Sequence, residues 1–167
     1  MQDILFRAMS AVDLAAVAYL QDICYPPALQ DSASALRSRI ELRGHCCMVA
    51  MAGGHMLGYI LAYPWPTTTP PKPDTVLTQS EDGELIHYIH DLSVDPRARS
   101  SGVGRRLVAS SQAMARTLDL ARSELIAIDG AGPYWRALAY DALPMDEKLA
   151  RKVASYGGAA LYMGRDL

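Results

Sequence analysis

The sequence predicts one mixed α/β domain, and three observations carry that expectation. The chain has 167 residues, half of them hydrophobic and a fifth charged, which suits a single globular core. Short apolar runs of strand length alternate with segments of helical periodicity. No internal repeat and no break in composition marks a second domain, so one domain is expected over residues 1–167. A chain of this size buries roughly 70% of its unfolded surface, enough for a core without disulfides or structural metal.

The elements follow in order. Ile4 to Arg7 is short, apolar and strand-like, and Ser10 reads as the N-cap of a helix carrying Val12, Ala15, Ala16, Tyr19, Leu20 and Ile23. Tyr25-Pro26-Pro27 stops it. A second helix is expected from about Ser32 to Leu42, with Leu36 and Ile40 on one face and Gly44 closing it. Cys46 to Ala52 and Met56 to Tyr63, around Gly53-Gly54, read as a hairpin. Pro64 to Glu84 holds five of the ten prolines and three consecutive threonines, without periodicity, and reads as a long loop. Such length usually accompanies function or disorder. Leu85 to Val94 is the next strand. Gly102 to Leu120 is the clearest helix, with Val103, Leu107, Val108, Met114, Ala115 and Leu118 along one stripe. Glu124 to Ile128 is a short buried strand, and Pro133 opens a helix at the position proline prefers. A charged helix from Asp146 to Val153 and a strand around Ala160 to Met163 complete the chain.

Charge and cysteine usage exclude several classes. Sixteen Lys and Arg against eighteen Asp and Glu leave a net charge of -2, without the basic footprint of a general nucleic-acid binder. Arg97, Arg99, Arg105 and Arg106 nevertheless cluster, a pattern suited to one small anionic ligand. Cys24, Cys46 and Cys47 are odd in number and lack metal-ligand spacing, so they read as free thiols in a reducing cytoplasm, and no metal is expected. Asp3 stands where a secretory leader carries bases. The apolar stretch Ala11 to Leu20 is interrupted by Asp13 and is far below the roughly 20 residues of a membrane span. A soluble, cytoplasmic protein is expected, with neither a nucleic-acid nor a membrane partner.

The informative segment runs from Leu92-Ser93-Val94-Asp95-Pro96 through Arg97-Ala98-Arg99-Ser100-Ser101-Gly102-Val103-Gly104 to Arg105-Arg106-Leu107. A strand ends, a loop turns and a helix begins. A helix N-terminus offers unpaired N–H groups and the positive end of the dipole, which together bind phosphate or pyrophosphate. Gly102 and Gly104 lack a Cβ, so an anion can approach the backbone. No Walker string occurs, and a dinucleotide fingerprint would need a third glycine where Leu107 stands.

This Arg-x-x-Gly-x-Gly turn, the preceding Ile89-His90-Asp91-Leu92-Ser93-Val94 and the later Tyr134-Trp135-Arg136-Ala137-Leu138-Ala139-Tyr140 resemble the GNAT superfamily of N-acetyltransferases. The element order is similar along nearly the whole chain. The resemblance implies an α/β fold with a mixed, mostly antiparallel central sheet flanked by helices on both faces. It also implies acetyl-CoA, or another short acyl-CoA, as co-substrate. The turn of Arg99, Ser100, Ser101, Gly102, Val103 and Gly104, with Arg105, would hold the pyrophosphate. Leu92, Ser93 and Val94 would pair with the pantetheine arm where the sheet splays, and a backbone N–H there would polarise the thioester carbonyl. Two departures stand out. Ser100 occupies a position that is commonly glycine in the family. Trp135 stands where a tyrosine often reprotonates the CoA thiolate, and Ala139-Tyr140 replaces Gly-Phe.

The implied reaction is direct transfer of acetyl to the amine of a small molecule or peptide. An ammonium must lose its proton before it attacks, so a general base is needed. His90, two residues before Leu92, is the natural candidate; the competing reading is a histidine pinned within the sheet. Asp91 is the second candidate, since the family's strand is irregular here; the competing and favoured reading is a hydrogen bond that pins the sheet. Tyr88 shares the face of His90 and is expected near the amine. Tyr134, Tyr140, Tyr156 and Tyr162 are the candidates to replace the missing acid, with Tyr134 nearest the CoA-facing helix end. The competing readings are that each is packing and that the thiolate leaves unassisted or takes its proton from water. Trp135 is expected to pack against pantetheine or core. The long loop is placed to cover the amine pocket, with Tyr63 and Trp65 at its root; the equal competing reading is a mobile surface loop. Two alternatives are a transferase of a longer acyl group and an acyl-CoA-binding regulatory module without turnover. A homodimer is compatible with either.

Overall fold

The computed structural model describes residues 3–167. Met1 and Gln2, on which the reading of the N-terminus partly rests, lie outside the described residues. In chain order the elements are β1 (Leu5–Ala8), α1 (Leu14–Cys24), α2 (Ala33–Glu41), β2 (Met48–Ala52), β3 (His55–Pro66), β4 (Leu85–Val94), α3 (Val103–Thr117), β5 (Arg122–Ala127), α4 (Gly132–Arg136), β6 (Asp141–Ala142), α5 (Glu147–Ala154) and β7 (Leu161–Asp166). The seven strands form one sheet in the order β1-β2-β3-β4-β5-β7-β6. Neighbours are antiparallel except β4 and β5, which run parallel.

Period-two alternation explains why β2 and β3 are apolar on both sides. Cys46, Met48, Ala50, Ile60 and Ala62 face a core shared with Val103, Leu107 and Val108 of α3. Cys47, Val49, Tyr59 and Leu61 face the opposite core, with Val17 and Leu20 of α1 and Leu36 of α2. Helices therefore cover both faces. Burial pushes the Cys46 and Cys47 thiols up to about 12, so both are inert apolar side chains.

Local chemistry sets the helix starts. Asp13 accepts the Ser10 backbone N–H at 2.8 Å and pairs with Arg7 at 2.7 Å, and this closes a turn of 3-10 helix ahead of α1. The Ser32 hydroxyl caps α2 by accepting the Ala35 N–H, and Asp146 caps α5 by accepting that of Leu149.

Two helical faces differ from expectation. Val12, Tyr19 and Ile23 are 85%, 69% and 45% exposed, while Val17, Leu20 and Gln21 point inward. In α3, Met114 lies partly exposed, and the buried stripe instead takes in Ser111 and Gln112. Leu118 lies just past the helix end, where it packs beside Gly44. The reason for the Ser111 and Gln112 positions is a polar network under the sheet. The long loop differs too, because it is tied down rather than loose. Pro70, Pro71 and Leu77 are buried, Leu77 N–H donates to the Ser38 hydroxyl at 3.0 Å, and Thr67 donates to the buried Glu124 carboxylate at 2.8 Å.

Ala139, just after α4, has φ +64°. That left-handed conformation costs a residue with a Cβ about 1–2 kcal/mol, against about 0.5–1 kcal/mol of extra unfolded-state freedom for glycine. Ala139→Gly is therefore expected to stabilise the fold by about 0.5 kcal/mol. The urea midpoint checks this, and a lower midpoint in the variant would refute it.

Candidate functional site

The site begins where the sheet parts. Parallel pairing between β4 and β5 is limited to His87 with Ser123, Tyr88 with Glu124 and Ile89 with Leu125. Beyond Ile89, β4 stays with β3, while β5 stays with β7 to its end at Ala127. Asp95 N–H donates to Leu57 O at 2.9 Å, so antiparallel alternation turns Ser93 toward β3. The backbone groups of Leu92 and Val94 then face the gap that β5 has left. A cavity of about 650 Å³ fills that gap and extends to both ends of it.

One end is the turn before α3. Asp95 accepts the Arg97 N–H and pairs with its guanidinium, both at 2.8 Å, and these contacts hold its carboxyl down at about 2. Ser100 and Gly102 both have left-handed φ, +65° and +84°. Gly102 forms the N-cap without a side chain, and the first helical bond runs from Arg106 N–H to Gly102 O. The N–H groups of Val103, Gly104 and Arg105 precede it at an open, positive helix end. A Cβ at Gly104 would lie 2.9 Å from the Tyr134 hydroxyl and 3.4 Å from Val94, so glycine there keeps the approach clear.

The other end lies around a bulge in β4. Leu61 pairs with Asp91 and Ala62 with Ile89, so His90 is the extra residue. The bulge brings both His90 and Asp91 to the cavity wall. His90 Nε2 lies 2.9 Å from Asp31 Oδ2 and 3.3 Å from an Arg39 nitrogen, and Arg39 bridges to Asp31 Oδ1 at 3.2 Å. Burial opposes charge on Asp31, but His90 and Arg39 outweigh it and hold the carboxyl below its ordinary range. Asp91 accepts the Tyr25 and Tyr59 hydroxyls at 2.6 and 2.5 Å. Burial still raises its carboxyl above the ordinary range. Burial and the adjacent carboxylate push both phenols up, so they remain donors.

The structure brings together His90, Asp91, Tyr134, Leu92, Ser93, Val94, Arg99, Ser100, Gly102, Val103, Gly104, Arg105 and Trp135 on one cavity wall. Ser101 lies outside the lining, and its hydroxyl donates to Ala98 O. The arginine cluster divides: Arg99 and Arg105 line the cavity, Arg97 is held by Asp95, and Arg106 lies 4.1 Å over the Phe6 ring. Trp135 is buried against Tyr134 and Tyr140, at the floor. Of the four tyrosines considered as proton donors, Tyr134 stands at the helix end and Tyr156 at the far end. Tyr140 and Tyr162 are buried elsewhere. Tyr88 lines the cavity as expected. Tyr63 and Trp65 do not, and Pro73 is the loop residue that does.

Sequence reasoning missed Asp31, Arg39, Tyr25 and Tyr59. Arg39 sits on the helix for which only Leu36 and Ile40 were read as sharing a face, and its complete burial adds a charged residue to the inward positions. Tyr25, beside the Pro-Pro stop, carried the one local signal: an aromatic where the chain must turn inward.

A profile of the acetyltransferase (GNAT) family matches residues 14–132, most of the chain and all of the cavity's central elements. The chain belongs to the acetyltransferase (GNAT) family. No curated protein matches its sequence. The GNAT fold is shared with solved structures of low identity. Arabidopsis thaliana Naa50 in complex with the bisubstrate analogue CoA-Ac-MVNAL is 12% identical, with a TM-score of 0.72 over 98% of this chain and 99% of that one. N-acetylglutamate synthase from Neisseria gonorrhoeae, complexed with coenzyme A and N-acetyl-glutamate, is 17% identical with a TM-score of 0.70. It is matched over 100% of this chain and 36% of its own length. GphF, a GNAT-like decarboxylase in complex with isobutyryl-CoA, is 18% identical, with a TM-score of 0.69 over 97% of this chain and 98% of that one. The GNAT fold thus carries more than one chemistry, and the acceptor must be argued from the site. Among the described residues, no cluster of three His, Cys, Asp or Glu is placed to hold a metal ion, and no helix is long and apolar enough to cross a membrane.

Proposed function

We propose that this chain, acting as one domain over residues 1–167, transfers an acetyl group from acetyl-CoA directly to the amine of a small molecule or peptide. One observation supports this above the others: a single cavity joins the open helix end at Gly102–Arg105 to the His90 side chain through the gap between β4 and β5. The residues present fit coenzyme A. Three unpaired N–H groups, Arg99, Arg105 and the space above Gly104 suit its pyrophosphate. The gap-facing backbone of Leu92 and Val94, with Ser93 between them, suits its extended arm, and Trp135 forms the floor. Ser100 and Ser101 contribute the shape of the turn. Bound there, acetyl-CoA would supply an electrophilic thioester carbonyl.

The remaining steps belong to side chains. His90 takes a proton from the incoming ammonium, freeing the nitrogen lone pair. Asp91, fixed by two phenols, places a carboxylate beside the cationic acceptor. A backbone N–H at Leu92 or Val94 donates to the oxygen on which negative charge develops. Tyr134, whose hydroxyl lies over Gly104 and whose phenol burial raises above its ordinary range, stands at the pyrophosphate end of the cavity, where it can donate to a phosphate oxygen and not to the distant thiolate. Trp135 has no acidic proton to give, so the departing thiolate, at the end of the arm remote from Gly104, takes its proton from water.

Gly104→Glu tests the cofactor half. It sets a side chain against the Tyr134 hydroxyl and a carboxylate where the pyrophosphate would sit. CoA affinity is expected to fall more than about tenfold, or about 1.4 kcal/mol, with the fold retained; unchanged affinity in calorimetry would remove the assignment. Free-thiol release from acetyl-CoA with a panel of amines tests the reaction. CoA binding without release for any amine or acyl length would make the chain a CoA-binding module instead.

A further inference from the structure

Three side chains from separate segments meet beside the acceptor end of the cavity: Asp31 from the connection between α1 and α2, Arg39 from α2 and His90 from the bulge. Asp31 and Arg39 are buried, 7% and 0% exposed. A buried ion pair is weak evidence of stabilisation, because desolvation offsets the attraction. Its placement therefore calls for a reason other than stability.

The hydrogen positions follow from the donors available. Arginine has only N–H donors, and an ionised carboxylate only accepts. His90 Nε2 lies 2.9 Å from Asp31 Oδ2 and 3.3 Å from the Arg39 nitrogen. If Nε2 were bare, it would face the carboxylate lone pairs at the shorter of the two distances. A proton on Nε2 satisfies the carboxylate, and the Arg39 contact is then the proximity of two donors. Nδ1 has no partner among the described residues and is not an enclosed unsatisfied atom, so it opens to the cavity that His90 lines.

We propose that Asp31 is the positioning residue of His90: it fixes the ring proton on Nε2 and leaves Nδ1 as the proton-accepting atom toward the acceptor. The base role rests on the transferase reading above, whereas the ring orientation does not. Asp31 is itself held on several sides. The Gln21 carboxamide bonds its backbone N–H and C=O at 2.9 and 3.0 Å, and Asp74 N–H from the long loop donates to Oδ1 at 2.6 Å. Arg39 is anchored in turn, donating to Ala35 O at 2.9 Å and to the loop's Thr75 O at 2.8 Å. The seating of the loop and the orientation of the imidazole thus share one ion pair.

The proton accounting is simple. One ammonium N–H bond breaks, its electron pair stays on nitrogen, and the proton binds Nδ1. The resulting imidazolium keeps its Nε2–H on Asp31. The groups facing the ring from every side are Asp31, Arg39, the adjacent Asp91, and the phenols of Tyr63 and Tyr88 with ring centroids at 6.3 and 6.4 Å. Tyr156, from the segment after α5, lines the same end of the cavity. Asp31 and Arg39 together add no net charge. Their effect is directional: the carboxylate stabilises the proton that stays, at the nitrogen remote from the acceptor.

The test uses the full chain with ¹⁵N-labelled histidine and Asp31→Asn. Long-range proton–nitrogen spectra report the tautomer of each neutral imidazole. Wild-type His90 is expected to carry its proton on Nε2. In the variant, the introduced carboxamide can instead donate an N–H to Nε2, moving the ring proton to Nδ1 and removing the base. The turnover rate, measured as thiol release with the best amine of the panel, is expected to fall at least ~10²-fold, with CoA affinity unchanged. A wild-type Nδ1–H tautomer would overturn the proposal, and that reading holds even if the variant does not fold. A folded variant with wild-type tautomer and turnover would overturn it as well. Wild-type protein that shows the Nε2–H tautomer yet releases no thiol with any amine would sink the transferase reading while upholding the positioning of the ring.

Discussion

His90→Gln is expected to lower the turnover rate by about 10²–10⁴-fold while CoA affinity stays within about twofold. Glutamine can still donate to Asp31 and so keeps the ion pair with Arg39 satisfied, but it cannot take a proton at neutral pH. The contacts assigned to CoA lie at the other end of the cavity, around Gly102 and Arg105, which is why binding and turnover should separate. The limb of the pH–rate profile that reports the base should also vanish in the variant. Near-normal turnover with an unchanged profile would make His90 a strand-pinning residue, and Asp91 would inherit the role.

The second large effect concerns stability in acid. His87 is fully buried between two serines, with Nδ1 2.8 Å from the Ser123 hydroxyl and Nε2 2.8 Å from that of Ser111. Ser111 donates to Cys46 O, so it must accept from Nε2–H. Gln112 donates to the Tyr140 oxygen, Tyr140 then donates to Ser123, and Ser123 to Nδ1. Every proton in this chain has one direction, and the direction requires neutral histidine. Burial, then the charge of Arg116, depresses the imidazole to about 3.

Below an unfolded pKa of about 6.5 the unfolded chain binds a proton that the folded chain refuses. The contribution is fully present above that value and is lost as pH falls toward about 3. The slope is about 1.4 kcal/mol per pH unit, so about 2 kcal/mol should be gone at pH 5. That is a large share of a typical 5–15 kcal/mol. Urea unfolding at pH 7 and 5 measures it, and His87→Asn, which cannot titrate, should flatten the dependence. His45, also depressed by burial, contributes to the residual slope. Equal slopes in both proteins would refute the assignment.

How much of this was legible beforehand depends on the range of the interaction. The strands of the hairpin and the turn before α3 were readable because apolar runs of strand length and glycine spacing are local signals. The helix N-terminus as an anion site follows from backbone geometry and needs no tertiary information. The inward face of α1 was read only in part: Leu20 faces the core as expected, but Val12, Tyr19 and Ile23, which share its helical spacing, do not, and Val17 takes their place. Periodicity alone does not say which stripe meets the sheet. The long loop was visible in its prolines, but not its anchors, which lie tens of residues away at Ser38, Arg39 and Glu124. Asp31 was invisible for the same reason. An aspartate before a serine cap reads as ordinary helix-start chemistry, and only the bulge that turns His90 toward it reveals another use.

The three-residue seam between β4 and β5 also gives the molecule a mechanical character. Four strands lie on one side of it and three on the other, so the sheet resembles two leaves bound along a short spine. Under the seam, the relay from Gln112 through Tyr140, Ser123 and His87 to Ser111 crosses from one leaf to the other and stitches them together. Above the stitching, toward Leu92 and Val94, no ladder bond joins the leaves. An extended chain lying in the opening would meet a strand edge on either hand. It would complete the book rather than wedge it open.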